Sequence, residues 1–284
     1  MTCFNRRETT LTCLANLWAQ QLPKELSVDV YLTDDGCTDG TPDAVCARFP
    51  DTRIIVGDGT LFWNGGMRLA LREAMRHEYD FYLWLNDDTT LDPDAITRLV
   101  GVFDAVSESS KCAAIVVGTP ADPDGGKPLY GGRVRASRLK PMRFSRVAPG
   151  DEPVRCDTFD GNCVLVSATA VRKLGNLDPA FAHLMGDTDY GLRAGQAGIP
   201  IWVAPGTIGN CAGNPDSERH RNPDLSFVQR VTWIIGIKGL RPREWKVITR
   251  RHAGPLWFLF WLSPYFRFAA EAMSASVCRS RRRR

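Results

Sequence analysis

Short apolar runs and helical repeats alternate through the first two thirds of the chain. Val28-Asp29-Val30-Tyr31-Leu32-Thr33, Arg53-Ile54-Ile55-Val56, Phe81-Tyr82-Leu83-Trp84-Leu85, Ala113 to Val117, Gly161 to Val166 and Ile199 to Ala204 are β-branched or aromatic and read as strands. Between them, apolar residues recur at helical spacing, as at Leu11, Leu14, Ala15, Leu17 and Trp18. This predicts helices over Leu11 to Leu22, Pro42 to Phe49, Met67 to Arg76, Pro93 to Val106 and Ala168 to Leu174, with another behind Gly186. Such alternation implies right-handed crossovers and an α/β class: a mostly parallel, Rossmann-like sheet flanked by helices. From Thr119 to Asp160 the pattern gives way to Pro, Gly and Arg, which predicts a meander of short strands over the sheet's carboxyl edge.

The final third is different. Leu225 to Ile237 is apolar and aromatic, and Gly254 to Leu262 is an unbroken apolar run closed by Ser263-Pro264. That run is far shorter than the roughly 20 residues a spanning helix needs. Arg243, Lys246, Arg250, Arg251 and Arg267 flank it, so it reads as an element lying in a membrane interface, or else as a helix packed on the rest of the protein or on a second subunit. The expected division is 1–215 for the α/β domain (1–118 nucleotide-binding, 119–215 acceptor-binding) and 216–284 for a helical, membrane-associating region.

Charge adds little except at the end, where Arg279 and Arg281 to Arg284 carry more than the whole net charge of +4. They suit a solvated tail or anionic lipid headgroups, and no nucleic-acid module accompanies them. The nine cysteines have no Cys-x-x-Cys pair, which argues for a reducing compartment. The sequence turns polar at once after Met1, without a signal-peptide pattern. The expected location is therefore cytoplasmic, peripheral at the inner face of the cell membrane.

Chemistry gathers at the carboxyl ends of the predicted strands, where an open α/β sheet binds ligands. Thr2 to Arg6, Asp34-Asp35-Gly36, Asn86-Asp87-Asp88 and Gly186 to Asp189 all fall there. Adjacent carboxylates repel one another, and a divalent cation or a ribose hydroxyl offsets that repulsion; read plainly, they start a turn and cap a helix. A carboxylate in the second loop can accept from a pyrimidine N–H, and Arg6 can meet a pyrophosphate. A cation on Asp88 would neutralise a departing diphosphate, and Asp187 or Asp189 could deprotonate an incoming hydroxyl. These are the parts of a displacement at a nucleotide-activated carbon.

Five motifs in order carry a resemblance: Thr2-Cys3-Phe4-Asn5-Arg6, Asp34-Asp35-Gly36-Cys37-Thr38-Asp39-Gly40-Thr41, Asn86-Asp87-Asp88, Gly161-Asn162-Cys163-Val164-Leu165-Val166 and Gly186-Asp187-Thr188-Asp189-Tyr190. Together the chain resembles an inverting family 2 glycosyltransferase of the GT-A fold from Met1 to about Pro215. The resemblance implies a nucleotide site at Thr2, Asn5, Arg6, Asp34, Asp35, Gly36 and Asp87, with Asp35 on the pyrimidine and Asp87 on the ribose. It implies Mg²⁺ or Mn²⁺ on Asp88, and Asp187 as the general base. Leu61 to Met67, with Trp63, Asn64, Gly65 and Gly66, resembles the donor-sugar loop of members that transfer rhamnose or related sugars onto bacterial surface polysaccharides such as O-antigen. Gly161 and Asn162 resemble the acceptor side. The implied partners are a nucleoside-diphosphate sugar, a glycan or lipid-linked glycan acceptor and a membrane surface, with no nucleic acid.

Three positions depart from the pattern. Met1 stands almost at the first loop, so the first strand is missing or begins upstream; Asn86 occupies a place where Asp is usual; and Gly186 replaces a Glu, which keeps Asp189 open as a second base. Two other readings are a sugar nucleotidyltransferase, whose glycine-rich phosphate loop is absent near the amino terminus, and a non-catalytic membrane-associated scaffold.

Overall fold

The computed structural model describes residues 1–107, 112–137, 139–213, 225 and 227–268. The terminal arginine cluster lies outside them. The chain forms two compact units, one of residues 1–134 and 144–213, the other of 135–143 and 214–284.

The larger unit begins β1 (Thr2–Cys3), α1 (Arg7–Trp18), β2 (Val30–Asp34), α2 (Thr41–Arg48), β3 (Thr52–Val56), α3 (Phe62–Ala74), β4 (Phe81–Leu85), β5 (Thr89–Leu91), α4 (Ala95–Val106) and β6 (Ile115–Val117). The meander supplies β7 (Gly132–Arg135), β8 (Phe144–Arg146), β9 (Val154–Arg155) and β10 (Thr158–Phe159). There follow β11 (Cys163–Ser167), α5 (Ala168–Leu174), α6 (Gly186–Gln196), β12 (Ile201–Val203) and β13 (Gly209–Cys211).

Strands β1, β2 and β3 run parallel in that order. A five-stranded sheet continues as β4-β11-β6-β12-β9, with β6 and β12 parallel and β11 antiparallel to both its neighbours. Side chains on these strands alternate between two apolar layers. Leu85, Val116, Cys163 and Leu165 join α1 and α4, while Trp84, Ile115, Val117, Val164 and Val166 join α3, α5 and α6. Burial on both faces explains why these strands read as unbroken apolar runs.

The first strand is present but only two residues long. Beyond it β2 and β4 face an apolar cavity of about 160 Å³ lined by Val30, Tyr31, Leu83, Trp84, Met67 and Leu71 among others. The α-amino group of Met1 donates to the Tyr31 carbonyl at 2.9 Å, and burial lowers its pKa to about 6.

Helix α3 starts at Phe62 rather than at the expected Met67. The Asp35 carboxylate takes the amides of Gly59, Leu61 and Phe62 at 3.0, 3.2 and 2.9 Å. A cap supplied from another strand is invisible in local sequence, and Gly65-Gly66 reads as loop. Strands β5 and β13 pair antiparallel, Cys211 opposite Thr89; neither carries a strand pattern of its own.

The smaller unit holds α7 (Phe227–Ile235), α8 (Pro242–His252) and a helix, α9, over 257–268. Trp245, Ile248, Thr249 and His252 form the buried stripe of α8. Two indoles join α8 to α9: Trp245 Nε1 donates to the Phe260 carbonyl at 3.2 Å and Trp261 Nε1 to that of Pro242 at 3.1 Å. Leu256, Phe258, Leu259 and Phe266 remain exposed. Among the described residues, no helix is long and apolar enough to cross a membrane.

Candidate active site

Strand β11 runs antiparallel to β4 with Cys163 opposite Leu85, so the segment leaving β4 lies beside the segment entering β11. The Asn86 amide donates to the Asn162 carbonyl at 2.9 Å and fixes that adjacency. Asp87 is buried, and burial lifts its pKa to about 6 against the opposing pull of Arg6. Arg6 Nη1 donates to Asp87 Oδ1 at 2.9 Å and to Asp88 Oδ2 at 2.8 Å. Cys211 Sγ donates to Asp88 Oδ1 at 3.4 Å, and Asn162 Nδ2 to Cys211 Sγ at 3.6 Å.

The two amino-proximal loops are laced together. Asn5, with φ of 50°, accepts at Oδ1 from the Thr38 amide at 2.7 Å. The Arg7 amide donates to Asp39 Oδ2 at 3.0 Å, and Asp34 Oδ1 accepts from the Cys37 amide at 2.8 Å. Gly36 has φ of 81°, and a Cβ there would lie 3.0 Å from Gly59 Cα, so only glycine fits without movement. A carboxylate offers about four acceptor positions, and Asp35 spends two of them on the start of α3 and one on the Gly59 amide before it. One position is left for a ligand.

The segment read as a donor-sugar loop is the first turn of α3. A Cβ on Gly66 would run into the Thr2 hydroxyl, and Thr33 Oγ1 donates to the Gly66 carbonyl at 2.8 Å. Gly66 thus sets how closely α3 sits on β1, with Thr2 buried in the contact. Gly65 packs on the Leu61 side chain. Asn64 is fully buried and donates through Nδ2 to the carbonyls of Asp178 and Phe181 at 3.0 and 2.7 Å. Trp63 is the residue that reaches the rim: its Nε1 donates to Asn86 Oδ1 at 2.6 Å, and a Cβ on Gly161 would lie 2.5 Å from its ring.

Helix α6 opens with the two candidate bases, two residues apart in its first turn. Asp187 Oδ2 accepts the Gly161 amide at 3.0 Å, and its Oδ1 accepts the Thr188 amide at 2.6 Å. Asp189 is fully buried and ion-paired to Arg193 at 2.9 Å. Arg193 in turn donates to the carbonyls of Leu174 and Asn176 at 2.8 and 3.1 Å. Asp187 therefore stands beside Gly161 at the entry to β11, while Asp189 pins α6 to the interior.

Mg²⁺ and Mn²⁺ take oxygen ligands, one or two of them protein carboxylates and the rest water and phosphate. Asp88, with its side chain 23% exposed at the rim, fits that donor chemistry. Asn86 does not, because its oxygen is held by the Trp63 indole. Residues that sequence reasoning missed are Cys211, which touches Asp88 from β13, and Asp160, paired with Arg133 beside Gly161. No local signal marks either.

A family model described as "Glycosyl transferase family 2" matches residues 1–166. The chain is 28% identical over 209 residues to the N-acetylglucosaminyl-diphospho-decaprenol L-rhamnosyltransferase of Mycobacterium tuberculosis, an alignment covering 64% of this chain and 66% of that protein. This alignment thus spans just under two thirds of that relative's length. Over 100 residues the chain is 36% identical to an N-acetylglucosaminyltransferase of Azorhizobium caulinodans, covering 34% of this chain and 24% of that one. Among solved structures, the mannosyltransferase PcManGT from Pyrobaculum calidifontis, in complex with GDP-Man and Mn²⁺, superposes with a TM-score of 0.57 at 15% identity over 98% of this chain and 73% of that one. S. aureus TarS gives 0.52 at 13% identity over 88% and 41%. At such identities these structures speak to the fold alone, which is the GT-A arrangement.

Proposed function

We propose that this chain, which belongs to glycosyl transferase family 2, is a metal-dependent inverting enzyme that moves a sugar from a dTDP- or UDP-sugar, such as dTDP-rhamnose, to a hydroxyl of a glycan or lipid-linked glycan. The observation that carries this reading is the continuous contact from Asp187 through Gly161 and Asn162 to Cys211 and Asp88. It sets a proton acceptor and a candidate cation ligand on one rim, as a displacement requires. The likeness to a rhamnosyltransferase supports the donor class, and that relative's name supports a lipid-linked acceptor.

In this reading the remaining acceptor position of Asp35 faces the base, with Asp34 beside it, Asp87 faces the ribose, and Arg6 moves to the diphosphate. Asp88 would hold Mg²⁺ or Mn²⁺, which supplies Lewis-acid stabilisation of the departing diphosphate. Asp187 takes the proton of the acceptor hydroxyl, whose oxygen attacks from the face opposite the leaving group and inverts the anomeric centre. Gly161 holds the carboxylate in place, and Trp63 covers Gly161. The exposed apolar residues of α9, beside a basic α8, support contact with the inner face of the membrane.

The test is a panel of nucleotide sugars with Mn²⁺ or Mg²⁺, reading released nucleoside diphosphate. Turnover of a dTDP- or UDP-sugar that depends on the metal and is lost in Asp187→Asn is expected. Metal-independent turnover, or none with any donor and acceptor glycan, would overturn the reading.

A further inference from the structure

We propose that Cys3, Cys37 and Asp34 form a second metal site, for a thiophilic divalent cation of the zinc type, chemically distinct from the all-oxygen site at Asp88. Ligand atoms of the three residues lie within 4.8 Å of one another. Cys3 and Asp34 are buried, and Cys37 is partly so.

The separation of the sulfurs distinguishes this from a disulfide. Cys3 Sγ and Cys37 Sγ are 3.8 Å apart. Two thiolates each about 2.3 Å from a tetrahedral zinc lie about 3.8 Å apart, from the tetrahedral angle alone. A disulfide needs about 2.05 Å, so the sulfurs would have to close by more than an ångström. The sulfurs are therefore already spaced as a tetrahedral cation would hold them.

Burial raises the pKa of both thiols, so the cation itself must displace their protons. The Asn5 amide donates to Cys37 Sγ at 3.2 Å, an outer-shell bond that orients the ligand and spreads its charge. The Cys37 amide donates to Asp34 Oδ1 at 2.8 Å, fixing the carboxylate toward the pair. On binding, each thiol gives its proton to solvent, two sulfur–metal bonds and one oxygen–metal bond form, and water completes the tetrahedron. The three ligands come from β1, the end of β2 and the loop after it, so the ion would clamp together the two loops that carry Asn5, Arg6 and Asp34.

Cobalt(II) added alone to the reduced full-length protein tests this, since tetrahedral thiolate cobalt has both a charge-transfer band and intense visible absorption. One equivalent should give both features, and zinc should bleach them. Cys37→Ser should weaken binding more than about 100-fold, beyond the roughly 10–100-fold that outer-shell changes cause, while the exposed Cys46→Ser should not. Cys37 is partly exposed, so the variant's thermal midpoint should stay near that of the parent. Absence of the thiolate band, or its persistence in Cys37→Ser, would overturn the assignment. Because the readout is spectroscopic, it is independent of whether the chain transfers a sugar.

Discussion

Arg6 bonds Asp88 Oδ2 at 2.8 Å through the same Nη1 atom that reaches Asp87 Oδ1 at 2.9 Å. A guanidinium thus supplies the positive charge that two neighbouring carboxylates require. Its side chain is half exposed and Asp88 stands at the rim, so the bond to Asp88, unlike that to buried Asp87, is worth at most about 1 kcal/mol and can be broken readily. A cation and a diphosphate arriving together would take over Asp88 and leave Arg6 free for the phosphate oxygens.

Competition between Arg6 and the cation is measurable. Arg6→Ala should raise the thermal shift caused by Mn²⁺ alone while weakening binding of UDP or dTDP, and Asp88→Ala should remove the Mn²⁺ shift in either background. Identical Mn²⁺ shifts in all three proteins would count against Asp88 as the ligand.

The two acidic residues of α6 should separate cleanly by phenotype. Asp187→Asn should lower transfer by at least about 1,000-fold, toward the upper end of what a general base contributes, with nucleotide binding and stability nearly unchanged. Asp189→Asn leaves Arg193 without its buried partner and should cost about 3–5 kcal/mol in urea denaturation. A reversal of these two phenotypes would move the base to Asp189.

Gly161→Ala places a methyl 2.5 Å from the Trp63 ring and 3.4 Å from Asp187 Cβ. Relief requires the indole or the β11 entry to move, at about 1–3 kcal/mol. Transfer should fall while nucleotide affinity holds, and Trp63→Leu should restore part of the loss by making room. Undiminished transfer in Gly161→Ala would mean that this contact does not position the site.

Asp160 gives a pH dependence of known sign. Burial raises its pKa from 3.8 to about 6 even beside Arg133. The folded state therefore keeps this proton at pH values where the unfolded chain has lost it, and ionisation costs the fold roughly 3 kcal/mol between about pH 4 and pH 7. Asp160→Asn should remove that slope, so that its stability relative to the parent improves steadily over the window. Parallel urea curves at every pH would contradict it.

If α9 meets a lipid surface, replacing Leu256, Phe258, Leu259 and Phe266 together with serine should reduce sedimentation with anionic vesicles at least about tenfold. These side chains are already exposed, so stability should hold. Unchanged sedimentation would point to the arginine tail or to no membrane contact.

Much of the architecture was written locally. Strands buried on two faces need apolar runs, so β2, β4, β6 and β11 could be read from composition alone, and the carboxylates at their ends followed from the order of motifs. What stayed hidden was set by partners distant in sequence. Asp35 caps α3 from across the sheet, which turned an expected glycine loop into the first helical turn. β13 forms only because β5 offers an edge.

The sequence by itself determined the α/β class, the family and the acidic residues available at the rim, because periodicity and motif order are properties of neighbours along the chain. Only the tertiary structure decided that Asp187 faces Gly161 while Asp189 turns inward to Arg193. Two residues apart on a helix point in different directions, and which direction meets the rim depends on packing that no local pattern encodes.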